Sequence, residues 1–264
     1  MVGRAAALLS VRSNDGVSVV SETRSSRGST FAVVMGVVVL ALAGYYAFSE
    51  SFQSFSLWGD TAFIALVLMP LVFSLVYAAL PLRRARGIAL LAVAFAVLAV
   101  VLQAAGLDVL ANFAKLATMT LLAFWFLGFF ERLSWVVLVA CLIPFIDAYS
   151  VWRGPTHHIV TQQRHIFTTL SFAFPVPGEN TSANLGLPDL LFFALFLAAA
   201  SRWHLRVGWT WLAMVLSFGA TMAIAVQWDV SGLPALPGIS IAFLLVNADL
   251  IWGDLRGRRR ADAG

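Results

Sequence analysis

Long apolar runs broken by short polar connections dominate the chain. They fall at about Phe31–Ser49, Thr61–Leu82, Gly87–Ala105, Leu110–Phe130, Trp135–Trp152, Leu187–Ala200, Val207–Gln227 and Pro234–Trp252. A helix rising 1.5 Å per residue needs about 20 apolar residues to cross a bilayer. The pattern therefore predicts an all-α, polytopic membrane bundle of about eight helices. Trp58, Trp135, Trp152, Trp203, Trp228 and Trp252 stand at the edges of these runs, where an amphipathic ring prefers the headgroup region. One connection is long, Arg153–Gly186, and such a loop among short ones is usually functional or disordered. The expected organisation is a cytoplasmic tail over 1–30, a membrane domain over 31–252 and a basic cytoplasmic tail over 253–264. Within the membrane domain, 31–130 forms the N-terminal spans and 135–252 the C-terminal core.

Composition agrees with the pattern. Of 264 residues, 61% are apolar and 11% charged, against about 45–50% and about 25% in soluble domains. A water-soluble fold is excluded. The net charge of +4 comes from arginines placed beside apolar runs, which points to membrane orientation and not to nucleic acid. With the N-terminus inside, fourteen of the seventeen basic residues fall in cytoplasmic segments, and only Lys115, Arg153 and Arg164 do not. Both termini are thus expected inside, and the 153–186 loop outside. The scarcity of Lys beside Arg, with much Ala and Val, suggests a GC-rich prokaryotic genome and a plasma membrane. The single cysteine, Cys141, can build no internal disulfide or metal cluster. His157, His158 and His165 on the long loop have only Glu179 as an acidic companion, so a solvated loop is the expectation there and no metal is assigned.

Ionisable residues inside apolar runs carry the chemistry, because a charge at a helix centre costs about 2.5–3.5 kcal/mol on insertion scales. Lys115, Asp147, Asp189 and Asp249 qualify. Asp147 and Asp189 flank the one long outer loop, so both lie toward the same membrane face. Each could cap a helix, pair with Lys115 or an arginine, serve proton-coupled transport, or join the other as a dyad. A close carboxylate pair can share one proton, activate a water and protonate a departing nitrogen. Pro188 just before Asp189 suits a first helical turn, yet should push Leu187 toward extended backbone. Pro234 and Pro237 remove backbone donors at the start of the last run, on the same outer face. Asp249 lies at the inner end of that run, where interfacial snorkelling or a pair with Arg202 or Arg206 is expected.

Three motifs in order resemble the presenilin and signal peptide peptidase group of intramembrane aspartyl proteases. Asp147–Ala148–Tyr149–Ser150–Val151–Trp152 is similar to the family's first aspartate segment, and Gly186–Leu187–Pro188–Asp189 to its Gly-x-Gly-Asp. Pro234–Ala235–Leu236–Pro237 contains its Pro-Ala-Leu. Ile146 stands where the family has Tyr and Pro188 where it has the second Gly; eight runs stand where it has nine helices. The resemblance covers about Trp135 to Trp252. It implies a catalytic pair of Asp147 and Asp189, and a site shaped by Gly186, Leu187, Pro188, Pro234, Ala235, Leu236 and Pro237. The substrates implied are transmembrane or signal-peptide segments within the lipid bilayer, with no cofactor. The alternative reading is a catalytically inactive presenilin-like scaffold or a small transporter.

Overall fold

The computed structural model describes residues 33–153, 171–228 and 233–261. The chain divides into two compact units, Met1–Gly44 and Tyr45–Gly264, and the division falls inside the first helix, α1 (Val33–Ser51). Two helices follow on each side of a tight connection. These are α2 (Leu57–Arg84), α3 (Ile88–Ala104), α4 (Asp108–Phe126) and then α5 (Leu133–Arg153). A β-hairpin comes next, β1 (Ser171–Pro175) and β2 (Ser182–Gly186), and then α6 (Leu187–Arg202), α7 (Val207–Gln227), α8 (Leu236–Val246) and α9 (Ala248–Ala261). The architecture is an all-α helical bundle carrying one two-stranded hairpin.

Five of these helices, α1, α2, α4 with its 3₁₀ end, α5 and α7, are long and apolar enough to cross a membrane, and a sixth candidate is the bent pair α8–α9. Local chemistry explains their irregularities. Ser56 caps α2 by accepting from the Gly59 N–H at 3.2 Å. Farther along α2, a π-helical turn over Ile64–Leu68 ends two residues before Pro70, whose missing N–H and bulky ring disturb the regular ladder. Pro144 sits inside α5 and removes another donor, one turn before Asp147.

The centre of the bundle is α6. Every residue from Phe193 to Ala200 is fully buried, as expected of a helix surrounded on all sides. Phe73 of α2 and Phe218 of α7 stack at 5.1 Å and enclose Phe193, while Phe196 stacks on Phe243 of α8 at 5.0 Å. The α3 helix is the opposite case: Leu90, Val93, Val97 and Val100 all face outward.

Two expectations need correction. The final apolar run is not one straight span to Trp252, because α8 and α9 meet at Asn247 with a 66° bend, and α9 continues to Ala261. Asn247 is fully buried. Its Oδ1 accepts from the Arg206 N–H at 3.0 Å, and its Nδ2 donates to Thr210 Oγ1 at 2.8 Å and to the Phe243 carbonyl at 2.9 Å. Arg206 completes the joint. It donates to the Val246 carbonyl at the end of α8 and binds Asp249 in the first turn of α9 through both carboxylate oxygens, at 2.9 and 2.7 Å. The Asp249–Arg206 pair is thus present, and it serves the bend.

The second correction concerns the long connection. Residues 154–170, with His157, His158 and His165, lie outside the described residues, but the part from Ser171 onward is folded. β1 and β2 are antiparallel, with Ser171 opposite Gly186 and Pro175 opposite Ser182. Phe172 and Phe174 alternate onto the buried face, where Phe172 meets Phe113 of α4. The outer edge of β1 is taken by side chains. Asn112 both accepts from the Ala173 N–H and donates to its carbonyl, at 2.9 and 2.8 Å, and Tyr46 and Tyr45 donate to Ala173 and Pro175. Such cover blocks edge-to-edge pairing.

At the hairpin tip, Gly178 adopts φ +69° and donates to the Ser49 carbonyl at 2.8 Å. A Cβ there would come within 2.5 Å of the Ser54 nitrogen and 2.6 Å of the Phe52 oxygen. Gly178→Ala therefore combines a strained left-handed residue with a backbone clash. It is expected to cost about 2 kcal/mol or more, read as a lowered unfolding temperature in detergent.

Candidate functional site

Three helix starts or turns converge on the two aspartates. Asp147 lies on α5, just past Pro144, and is half-buried. Its Oδ2 accepts from the Leu236 backbone N–H at 3.1 Å. Leu236 is the first residue of α8, and Pro237 follows it, so Asp147 takes one of the donors that a helix N-terminus leaves unpaired. The Pro234–Ala235–Leu236–Pro237 segment is thereby attached to the first aspartate by a direct hydrogen bond. Ala235 and Leu236 are buried beneath it, and Pro234 and Pro237 are partly exposed.

Asp189 arrives by another route. β2 ends at Gly186, whose extended backbone (φ −60°, ψ 142°) is the N-cap of α6. Leu187, Pro188 and Asp189 then form its first turn. The expected extended geometry at Leu187 is displaced by one residue: Gly186 is the extended one and Leu187 is already helical. Proline is tolerated here because the second position of a helix has no intrahelical acceptor for its N–H. Asp189 occupies the third helical position, from which an acidic side chain folds back over the N-cap residue. A Cβ on Gly186 would lie 3.2 Å from Asp189 Oδ2.

That proximity gives Gly186 a defined task. Gly186→Ala is expected to displace the Asp189 carboxyl by a few tenths of an ångström and lower any reaction at the pair by roughly tenfold. Thermal unfolding should stay close to that of the unaltered protein, since the residue is at the end of a strand and not in a left-handed turn.

The Asp189 carboxyl lies within electrostatic reach of Asp147. Neither aspartate belongs to an ion pair among the described residues, where the recorded pair is Arg206–Asp249. Lys115, one possible partner by sequence, is elsewhere: its Nζ stands 3.5 Å from the Ser171 carbonyl. Asp147 and Asp189 are both half-buried residues. A carboxylate pair of this kind, without cationic partners, can hold and relay a proton.

Two polar features escaped the sequence pattern. Asp60, one residue outside the predicted second run, is buried in the first turn of α2 with Oδ1 unpartnered. A cavity of about 350 Å³ lies between the α3–α4 pair and the hairpin, lined by Gln103, Asp108, Lys115 and Asn184 among others. Its walls come from Tyr46, the α3–α4 pair and the hairpin, which are far apart along the chain, so no local signal marks it. Among the described residues no group of three or more His, Cys, Asp or Glu side chains is placed to hold a metal ion. Compared with family models and with curated proteins, the chain matches none of them.

Proposed function

We propose that this chain is an intramembrane aspartyl protease of the presenilin and signal peptide peptidase type. In this reading eight helical segments span a prokaryotic plasma membrane, both termini are cytoplasmic, and the hairpin and paired aspartates face outward. The supporting observation is the approach of Asp147 and Asp189 from two different helices, with no ion-pair partner among the described residues, beside the helix start that Asp147 holds through Leu236. The orientation is supported by contacts at the far end of the bundle. There Arg83 donates to Ser201, and Arg202 donates to the Leu127 carbonyl at 2.7 Å, which gathers arginines from two helices on one side.

The chemistry follows from one shared proton. The ionised carboxylate takes a proton from a water held between the pair, and the water oxygen bonds to the carbonyl carbon of the peptide. The protonated partner gives its proton to the carbonyl oxygen. Collapse of the tetrahedral adduct breaks the C–N bond as the nitrogen receives a proton from the first aspartate and a hydroxyl of the adduct returns a proton to the second, leaving a carboxyl, an amine and the pair with its one shared proton. The substrate would be a transmembrane or signal-peptide segment unwound beside Pro234–Pro237. Those prolines supply carbonyls without donating N–H groups. Along the hairpin, β1 is covered, while the outer edge of β2 carries no partner segment among the described residues and runs straight into Asp189. An extended peptide could add there by main-chain pairing.

One observation favours the second reading, a catalytically inactive scaffold or small transporter. Asp189 sits in the first turn of α6 and Asp147 accepts from the first N–H of α8, and a carboxylate at a helix N-terminus is stabilising without doing chemistry. The test is incubation of purified protein with a reporter transmembrane peptide in detergent. Two fragments from the unaltered protein and none from Asp147→Asn support the protease; an intact peptide in both supports the scaffold.

A further inference from the structure

The cavity between the α3–α4 pair and the hairpin is lined by charged side chains of its own, with neither Asp147 nor Asp189 among them. Two charges of opposite sign face it from one helix, Asp108 at the start of α4 and Lys115 two turns along. Seven residues separate their backbones by about 10.5 Å. Helical side chains lean toward the N-terminus, which carries the Lys115 ammonium back toward Asp108 without closing an ion pair. Among the described residues, Lys115 donates to the Ser171 carbonyl at a long 3.5 Å. Asp108 is exposed at the rim and accepts from Gln103 at 2.6 Å. The remaining wall is prebuilt: Tyr46 and Asn112 spend their hydrogen bonds on Ala173, so they shape the cavity and leave the two charges to meet a ligand.

We propose that this cavity binds the headgroup of a phosphoethanolamine lipid of the outer leaflet, phosphate against Lys115 and ammonium against Asp108. The inference rests on the membrane reading and not on the proteolytic one. The order of charges matches how such a lipid stands in a bilayer. Its phosphate lies nearer the hydrocarbon than its amine, and Lys115 lies deeper along α4 than Asp108. A gap wider than a direct ion pair is what a zwitterion with separated charges requires. Cationic and anionic partners at that spacing select a net-neutral headgroup over an anionic one, since Asp108 repels a second negative charge. Beside the rim, Leu107 and Leu110 are exposed, and α3 presents Val93, Val97 and Val100 outward, an apolar flank along which acyl chains can lie.

Native mass spectrometry of the full chain in detergent, titrated with phosphatidylethanolamine and phosphatidylglycerol, tests the site. The unaltered protein is expected to retain phosphatidylethanolamine at least about tenfold more tightly than phosphatidylglycerol. Lys115→Gln should weaken phosphatidylethanolamine by about tenfold or more, while Lys115→Arg keeps it. Asp108→Asn, at the exposed rim where folding is not at stake, should abolish the preference between the two lipids. Displacement by millimolar glycerophosphoethanolamine would place recognition in the headgroup. Equal retention of both lipids, or an unchanged preference in Asp108→Asn, overturns the proposal. Because binding is read without substrate, that failure would leave the hydrolytic reading standing, and loss of hydrolysis would leave this one standing.

Discussion

Asp147→Asn and Asp189→Asn are each expected to lower cleavage of a reporter transmembrane peptide by about 10²- to 10⁴-fold, the range that positioned acid–base groups contribute. The two variants should be no worse together than singly, because a pair sharing one proton acts as a unit. The hydrogen bond from Leu236 makes the experiment discriminating. An asparagine at 147 still offers an oxygen to that N–H, so the start of α8 should hold and the unfolding temperature should barely move. Asp147→Ala removes the acceptor and should cost about 1 kcal/mol besides. If the aspartate were only a cap, Asn would behave as wild type and Ala alone would fall. As a catalytic group, Asn and Ala should be equally inactive and differ only in stability. Single-turnover cleavage and thermal unfolding, measured on the same preparations, separate these outcomes.

The opposite signature is expected at the bend. Asn247→Leu removes both hydrogen-bonding groups from a fully buried position and strands the Arg206 N–H and the Thr210 hydroxyl. The expected cost is about 2–4 kcal/mol. Arg206 would lose one of the contacts that seat it between the Val246 carbonyl and Asp249, and the joint should loosen. Asn247 stands eleven residues from Leu236, about 16 Å of helix rise from the aspartate site. Turnover per folded molecule should therefore stay within a few-fold of wild type while the unfolding temperature drops. A variant that kept its stability would show that the bend is held by packing alone.

How far the fold was legible follows from the physics of each element. Helix positions were readable because a long apolar run must close its own backbone hydrogen bonds. The boundaries of α7 fall at Val207 and Gln227, as expected. The break at Asn247 was not readable, because Thr210 and the Arg206 N–H lie 37 and 41 residues away, and an Asn in an apolar run looks the same with or without such partners. The hairpin left a signal that hydropathy passed over: Phe172 and Phe174 alternate with small residues, and Gly178 marks the turn. Asp60 was missed for a simpler reason, a boundary drawn one residue late. At the site, the order of Asp147, Asp189 and Pro234–Pro237 along the chain carried the expectation that they lie toward one face. It could not supply the hydrogen bond from Leu236 to Asp147, nor the absence of Lys115 from the pair.

Hydrolysis run in H₂¹⁸O by purified protein on a reporter transmembrane peptide tests the central claim most directly. Water activated between Asp147 and Asp189 predicts two fragments, with a single ¹⁸O in the newly formed carboxyl group, and no fragments from the Asp147→Asn, Asp189→Asn double variant. An uncut peptide, or the same labelled fragments from the double variant, would contradict it.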